Sequence, residues 1–190
     1  RFYTIQGEGF HKGSASYFIR TGGCDVGCHW CDVKESWDEN SHPIISVEEI
    51  VKKSSRFSGF VVVTGGEPLM WNMNPLTKAL KKLGKKTHIE TSGAYPMTGY
   101  WDWICLSPKK AKLPIEDAYN HAHELKIIIY NNHDFKFAEQ EAKKVNKNAI
   151  LYLQPEWSKR EEMMPLMVDF IKKNPKWKIS LQTHKYLNIP

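Results

Sequence analysis

Hydrophobic and polar positions alternate in a regular order along this chain. Residues 16–20, SYFIR, alternate with aromatic and β-branched side chains and predict a strand. Ser46-Val47-Glu48-Glu49 has the form of a capping box and predicts a helix through about Arg56. A short apolar run over 60–63 predicts the next strand. Asn74-Pro75 opens a second helix with Leu76, Ala79, Leu80 and Leu83 on its inner face. Strands are expected over 86–90 and 103–106, and residues 125–130 are apolar enough to be buried on both faces. Asp134 is expected to cap a helix through about Val145, followed by a strand over 150–153. Met163, Met164, Met167, Phe170 and Ile171 mark the core face of a late helix, and 177–181 reads as the last strand.

Strands and helices alternate almost throughout, the pattern of parallel βα units in an α/β fold. With 190 residues and no evident linker or repeat, one domain over 1–190 is expected. The polar clusters follow the strands. Thr64-Gly65-Gly66-Glu67-Pro68, Glu90-Thr91-Ser92-Gly93, Ser107-Pro108-Lys109, Gln154-Pro155-Glu156 and Gln182-Thr183-His184-Lys185 each lie at a strand's C-terminal end. In a (β/α) barrel that rim builds the active site.

Cys24, Cys28 and Cys31 lie in one loop with the spacing C-x3-C-x2-C and no fourth cysteine nearby. Closed zinc sites and complete iron–sulfur cages usually take four protein ligands. Three thiolates on a four-iron cluster leave one iron open. A zinc knuckle borrowing His29 or Asp25 is the structural alternative. The spacing resembles the radical S-adenosylmethionine (SAM) superfamily, in which SAM chelates the open iron of a [4Fe-4S] cluster and is cleaved to a 5′-deoxyadenosyl radical. Gly65-Gly66-Glu67-Pro68 is similar to the superfamily motif that holds the SAM amino group. Cys105, inside WICL, reads as a small buried hydrophobe, and Trp30 as a shield over the cluster.

The resemblance narrows further. QGEG at residues 6–9, GGCDVGCHWCD, TGGEP, ETSG, SPK, ELKIII, LQP and QTHKYLNIP occur in order from end to end. Together they resemble the 7-carboxy-7-deazaguanine synthase family of queuosine and 7-deazapurine biosynthesis. That resemblance implies an open, shortened (β/α) barrel of the radical SAM type, acting as a carbon–nitrogen lyase. The implied reaction converts 6-carboxy-5,6,7,8-tetrahydropterin to 7-carboxy-7-deazaguanine with loss of ammonia, SAM being used catalytically. It assigns Cys24, Cys28 and Cys31 to the cluster and Gly66, Glu67, Ser107, Lys109 and Gln154 to SAM. Gln6, Glu8, Arg20, Thr91 and His184 are assigned to the substrate, with the terminal carboxylate, that of Pro190, on the pterin edge. Arg20 is suited to clamp a carboxylate and Glu8 to receive a guanidine-like edge, an ion pair between the two being the bland reading.

The family also implies magnesium, a homodimer and an electron donor such as flavodoxin or ferredoxin. One departure bears on the metal. The family commonly carries Thr where this chain has Val33, and valine cannot ligate magnesium. Asp32 or Ser36 substitutes, or water and substrate hold the ion, or it is not needed.

The net charge of +6 is spread as lysine pairs beside helices, which reads as solvated helix faces. A nucleic-acid module would need basic and aromatic residues on one element, and no such element is evident. No apolar run reaches the ~20 residues of a membrane span. The clustered thiols point to a reducing compartment, expected to be the cytoplasm. The alternative function is an activase of a glycyl-radical enzyme, which would use the same radical chemistry but gives no reason for the QGEG and QTHK ends.

Overall fold

In the computed structural model, which describes residues 1–190, eight strands form one sheet in chain order. They are β1 (Phe2–Ile5), β2 (Ala15–Thr21), β3 (Phe60–Gly65), β4 (Thr87–Thr91), β5 (Trp103–Leu106), β6 (Glu124–Ile129), β7 (Ile150–Pro155) and β8 (Trp177–Ile179). β1 and β2 pair antiparallel, and all later neighbours pair parallel. β8 does not pair with β1, so the barrel stays open. This is the α/β architecture expected from the sequence. The helices are α1 (Val47–Ser54), α2 (Asn74–Lys82), α3 (Glu116–His121), α4 (His133–Ala142), α5 (Arg160–Lys173) and α6 (Thr183–Leu187).

Period-two alternation divides the sheet into an apolar outer face and a polar inner face. Ile19, Val61, Val63 and Ile89 pack with Leu76 and Leu80 of α2 in one apolar layer. Leu125, Ile127, Ile129 and Leu153 pack with Met163 and Met167 of α5 in another. The intervening positions Thr64, Glu90, Lys126 and Gln154 line the barrel interior. The strand within 125–130 is largely buried on both faces, as expected, but its inner face carries the ammonium of Lys126.

The gap between β8 and β1 is closed by the loop that follows β1. Thr183 N donates to Gly7 O at 2.9 Å, and Gly9 N donates to Ser180 Oγ at 2.9 Å. QGEG and QTHK, at opposite ends of the sequence, are thus one surface. Gly7 fits there because a Cβ would lie 2.1 Å from His184 Nδ1. On the far side of the barrel, Phe10 stacks on Trp103 with ring centroids 4.6 Å apart and covers the floor.

Several boundaries differ from those the sequence predicts. β1, α3 and α6 are additional, and β8 stops at Ile179, two residues short of the predicted strand. Asp134 does not cap α4. Its Oδ2 accepts from Tyr130 N and Asn131 N and so fixes the turn leading into the helix. Leu83 is the C-cap residue of α2 and is exposed, because the helix ends before its side chain can turn inward.

Leu80 is fully buried and Leu83 is exposed, so the two should behave differently. Leu80→Ala is expected to lower stability by about 2–5 kcal/mol, as a core truncation does. Leu83→Ala is expected to stay within about 0.5 kcal/mol. Urea unfolding of the two variants side by side checks this.

Candidate active site

A cavity of about 590 Å³ opens at the C-terminal ends of the strands. That is a volume suited to small molecules. Cys24, Cys28 and Cys31 line it, together with Gln6, Glu8, Arg20, Gly66, Glu67, Thr91, Ser107, Lys109, Gln154, His184 and Pro190. Every residue that the family resemblance assigns therefore borders one cavity.

The cysteine loop leaves β2 through Gly22 and Gly23 and is tied down by backbone bonds. Gly23 N donates to Ser36 O at 2.8 Å, and Cys24 N donates to Trp37 O at 3.1 Å. Glu67 N donates back to Gly23 O at 2.8 Å, so the Gly-Gly-Glu-Pro turn and the cysteine loop support each other. Gly66 is required by that contact, since a Cβ would sit 2.1 Å from Gly23 O. The close approach that a glycine permits is made here by the chain's own backbone.

The three thiols are free and partly buried. Burial pushes the Cys24 thiol up, a backbone hydrogen bond at Val26 opposing it. Burial also raises Cys28, against the pull of the Lys109 ammonium. A bound cluster takes thiolates, so iron binding must displace these protons. The two candidate fourth ligands for zinc are absent from the cavity lining. Asp25 is exposed and accepts from Lys112 Nζ at 2.7 Å and from the Tyr95 hydroxyl. His29 is exposed and packs on Tyr130. Three thiols, a facing cavity and no fourth protein donor fit a cluster with one open iron.

Glu67 differs from expectation in how it acts. Its carboxylate is buried and accepts four hydrogen bonds, from Leu69 N (3.0 Å), Thr91 Oγ1 (2.6 Å), Ser92 N (2.7 Å) and Ser92 Oγ (2.5 Å). It locks the ends of β3 and β4 together, which leaves backbone carbonyls of the turn to face a ligand. The Thr91 hydroxyl is engaged likewise, donating to Glu67 and accepting from Gly93 N at 2.9 Å. Thr64, placed by the sequence at the rim but given no ligand role there, lines the cavity opposite Arg20 in register.

Lys109 Nζ reaches Ser107 Oγ at 2.7 Å and lies 5.8 Å from the centre of the Trp30 ring. Burial lowers its pKa, and the neighbouring Cys28 opposes that. Gln154 Oε1 accepts from Ser180 Oγ at 2.7 Å, leaving its amide group free. Trp30 borders the cavity beside the cysteines, the place from which it would shield a cluster.

The buried ammonium of Lys126 is the site residue that sequence reasoning missed. Its Nζ bonds Glu8 Oε2 at 2.5 Å and Glu90 Oε2 at 2.8 Å. Burial alone would lower its pKa, but the surrounding carboxylates of Glu8, Glu90 and Glu124 hold it well above the usual lysine value. Glu90 is correspondingly held low: burial would raise it, and Lys126 outweighs that. Gln6 Nε2 donates to Glu90 Oε1 at 3.1 Å, and Gln182 Nε2 donates to Glu8 Oε1 at 3.0 Å. The signal was present in ELKIII, where charged residues two apart in a strand must share a face.

Arg20 makes no ion pair with Glu8. Its guanidinium lies 5.7 Å from the Phe2 ring centre and borders the cavity free of any carboxylate. His184 is half-buried, and burial lowers its pKa against the influence of Glu8.

Val33 offers no ligand oxygen, and its neighbours Asp32 and Ser36 are engaged within the protein. Ser36 Oγ donates to Val33 O at 2.7 Å. Asp32 Oδ2 accepts from Lys185 Nζ at 2.6 Å and Gln182 Nε2 at 3.2 Å, so a protein cation already occupies its charge. Burial would raise the Asp32 pKa, but Lys185 outweighs it and keeps the carboxylate ionised.

The radical SAM superfamily model matches residues 18–148, which defines the class. A protein of Flavobacterium psychrophilum named 7-carboxy-7-deazaguanine synthase is 66% identical over 189 residues, spanning 100% of this chain and 90% of that protein. One of that name from Synechocystis is 50% identical, spanning 99% and 90%. The crystal structure of QueE from Escherichia coli superposes with a TM-score of 0.85 at 29% identity, covering 96% of this chain and 92% of that one. The chain belongs to the 7-carboxy-7-deazaguanine synthase family. Its cofactors are accordingly a [4Fe-4S] cluster and SAM, and the activase alternative is not favoured.

Gly66→Ala tests the union of the two loops. Overpacking against Gly23 O should cost about 1–3 kcal/mol and displace the cysteine loop. Iron retained after anaerobic reconstitution is expected to fall; unchanged iron would mean that the loop does not depend on this contact.

Proposed function

We propose that this protein converts 6-carboxy-5,6,7,8-tetrahydropterin to 7-carboxy-7-deazaguanine with loss of ammonia. The observation that carries the reading is the pairing of opposite charges around one cavity. Glu8 and Glu90 both bond the Lys126 ammonium on one side, while Arg20 stands without a carboxylate partner. A guanidine-like pterin edge donates hydrogen bonds that carboxylates accept, and a substrate carboxylate suits the planar fork of Arg.

In this reading Cys24, Cys28 and Cys31 hold the cluster, and Gly66, Glu67, Ser107, Lys109 and Gln154 surround SAM. The Glu67 contribution is through its backbone, its carboxylate being saturated. Gln6, Glu8, Arg20, Thr91 and His184 face the pterin, with Thr64 beside them and the Pro190 carboxylate at its edge. When bound, the cluster and SAM would supply one-electron radical chemistry toward the pterin. The protein's part is to fix the ring, to hold Glu8 and Glu90 in place against Lys126, and to exclude water with Trp30.

We assign no step to magnesium, because Val33 has no ligand oxygen and the charge of Asp32 is paired with Lys185. A single domain over 1–190, a homodimer and a cytoplasmic location complete the proposal. No helix is long and apolar enough to cross a membrane. A small acidic electron donor of the flavodoxin or ferredoxin kind suits the net charge of +6.

The test is an anaerobic assay of cluster-reconstituted protein with the pterin, SAM and a reductant, read by mass spectrometry. The product 7-carboxy-7-deazaguanine is expected, at a rate that chelating magnesium changes by less than about twofold, since Val33 supplies no ligand and Lys185 pairs the Asp32 charge. Cleavage of SAM without that product would overturn the substrate assignment. A large gain on adding magnesium would place the ion on water and substrate instead.

A further inference from the structure

Beneath the cavity, on the barrel floor, three side chains meet that the proposed reaction does not use together. His88 of β4, Glu90 of β4 and Glu124 of β6 each direct a donor atom into one space, and these atoms lie within 4.8 Å of one another. His88 and Glu124 are fully buried, yet both ring nitrogens of His88 and Oε1 of Glu124 have no hydrogen-bond partner. Buried polar atoms are seldom left so. His88 Nε2 and Glu90 Oε1 are 3.4 Å apart. That matches the edge of a tetrahedron around an ion bound at about 2.0–2.1 Å.

The surroundings hold this arrangement in place. Glu124 Oε2 accepts from Phe10 N at 2.9 Å, which leaves Oε1 as the free oxygen. Gly9 is needed beside it, because a Cβ there would lie 2.4 Å from that same Oε1, and Gly9 takes φ +62°. The register sets Cys105 opposite Glu90 on one side and opposite Glu124 on the other. Phe10, His11 and Trp103 seal the floor from below. The way in is from the cavity, past Glu90, whose side chain keeps 15% exposure.

Charge points the same way. Glu8, Glu90 and Glu124 share one buried cation, Lys126, which bonds only the first two. Burial and the nearby Glu90 both disfavour the charge on Glu124. A dication would balance the three carboxylates together with Lys126 and engage Glu124 Oε1 and one ring nitrogen of His88. The rival is a proton on Glu124, which would leave two carboxylates to the single ammonium of Lys126.

We propose that His88, Glu90 and Glu124 form a second, buried metal centre for a divalent transition ion of the zinc type, separate from the cysteine cluster. An imidazole and two carboxylates, with Cys105 adjacent, favour zinc over magnesium, which prefers oxygen alone. The ion would fix Glu90 from below while Lys126 fixes it from the side. Glu90 then presents one orientation to the cavity.

The experiment uses cluster-loaded protein, so that iron already holds the three cysteines. The protein is incubated with zinc, passed over a chelating resin, and its zinc and iron are measured by mass spectrometry. About one zinc per chain is expected, with iron undiminished. Zinc-edge absorption should show nitrogen and oxygen near about 2.0 Å and no more than one sulfur. His88→Gln and Glu124→Gln should each lower retained zinc at least about tenfold without loss of iron, as removal of a ligand does. Wild-type protein that holds no zinc overturns the proposal. So does a shell of several sulfurs near about 2.3 Å, which would place zinc on the cysteines. Zinc unchanged in both variants overturns it as well.

Discussion

The ammonium of Lys126, buried inside the barrel, is the interaction on which the rest of the site depends. An unpaired ammonium there would cost several kcal/mol in lost hydration. It is stable because Glu8 and Glu90 reach it from two separate segments, the loop after β1 and the strand β4. Truncating such a pair leaves a buried charge alone, which costs about 3–5 kcal/mol. Gln182, from beyond β8, then joins Glu8. The open side of the barrel is thereby closed by side chains and two backbone contacts instead of a strand ladder. The same bonds that hold the fold together present the carboxylates of Glu8 and Glu90 to the cavity.

A division of labour follows from period-two alternation. The outer face of the sheet is apolar and carries the helices. The inner face grades from the rim, where the cysteine loop and the Gly-Gly-Glu-Pro turn support each other, down to the charged middle and the sealed floor. Glu67 shows how tightly the rim is built. A carboxylate that its motif would suggest for ligand binding spends four acceptor positions on β3 and β4. Precision at the rim comes from these internal bonds, which set the backbone that a ligand meets.

Much of this was legible in the sequence. The parallel βα order, the cysteine spacing and the placement of polar clusters after strands all follow from local patterns, and their residues converge on one cavity. The parts that were not legible have physical reasons. β1 is four residues long and pairs only with its neighbour, so it leaves little periodic trace. Leu83 matches helical spacing but lies where the helix has ended. Lys126 sits inside an apolar run, and only the tertiary fold reveals which face it occupies. Asp134 has the composition of a cap, but its carboxylate bonds the preceding turn. Arg20 and Glu8 look like partners by charge, and the buried Lys126 takes Glu8 instead.

The central claim is that Glu8, held in place by Lys126 and Gln182, reads the substrate. The most direct measurement is equilibrium binding of 6-carboxytetrahydropterin to cluster-loaded, SAM-saturated protein, comparing wild type with Glu8→Gln. A charge-assisted hydrogen bond contributes about 1.5–3 kcal/mol, so affinity should fall roughly 10- to 150-fold with iron content unchanged. Equal affinity in the two proteins would contradict the account, because the carboxylate would then serve the fold alone.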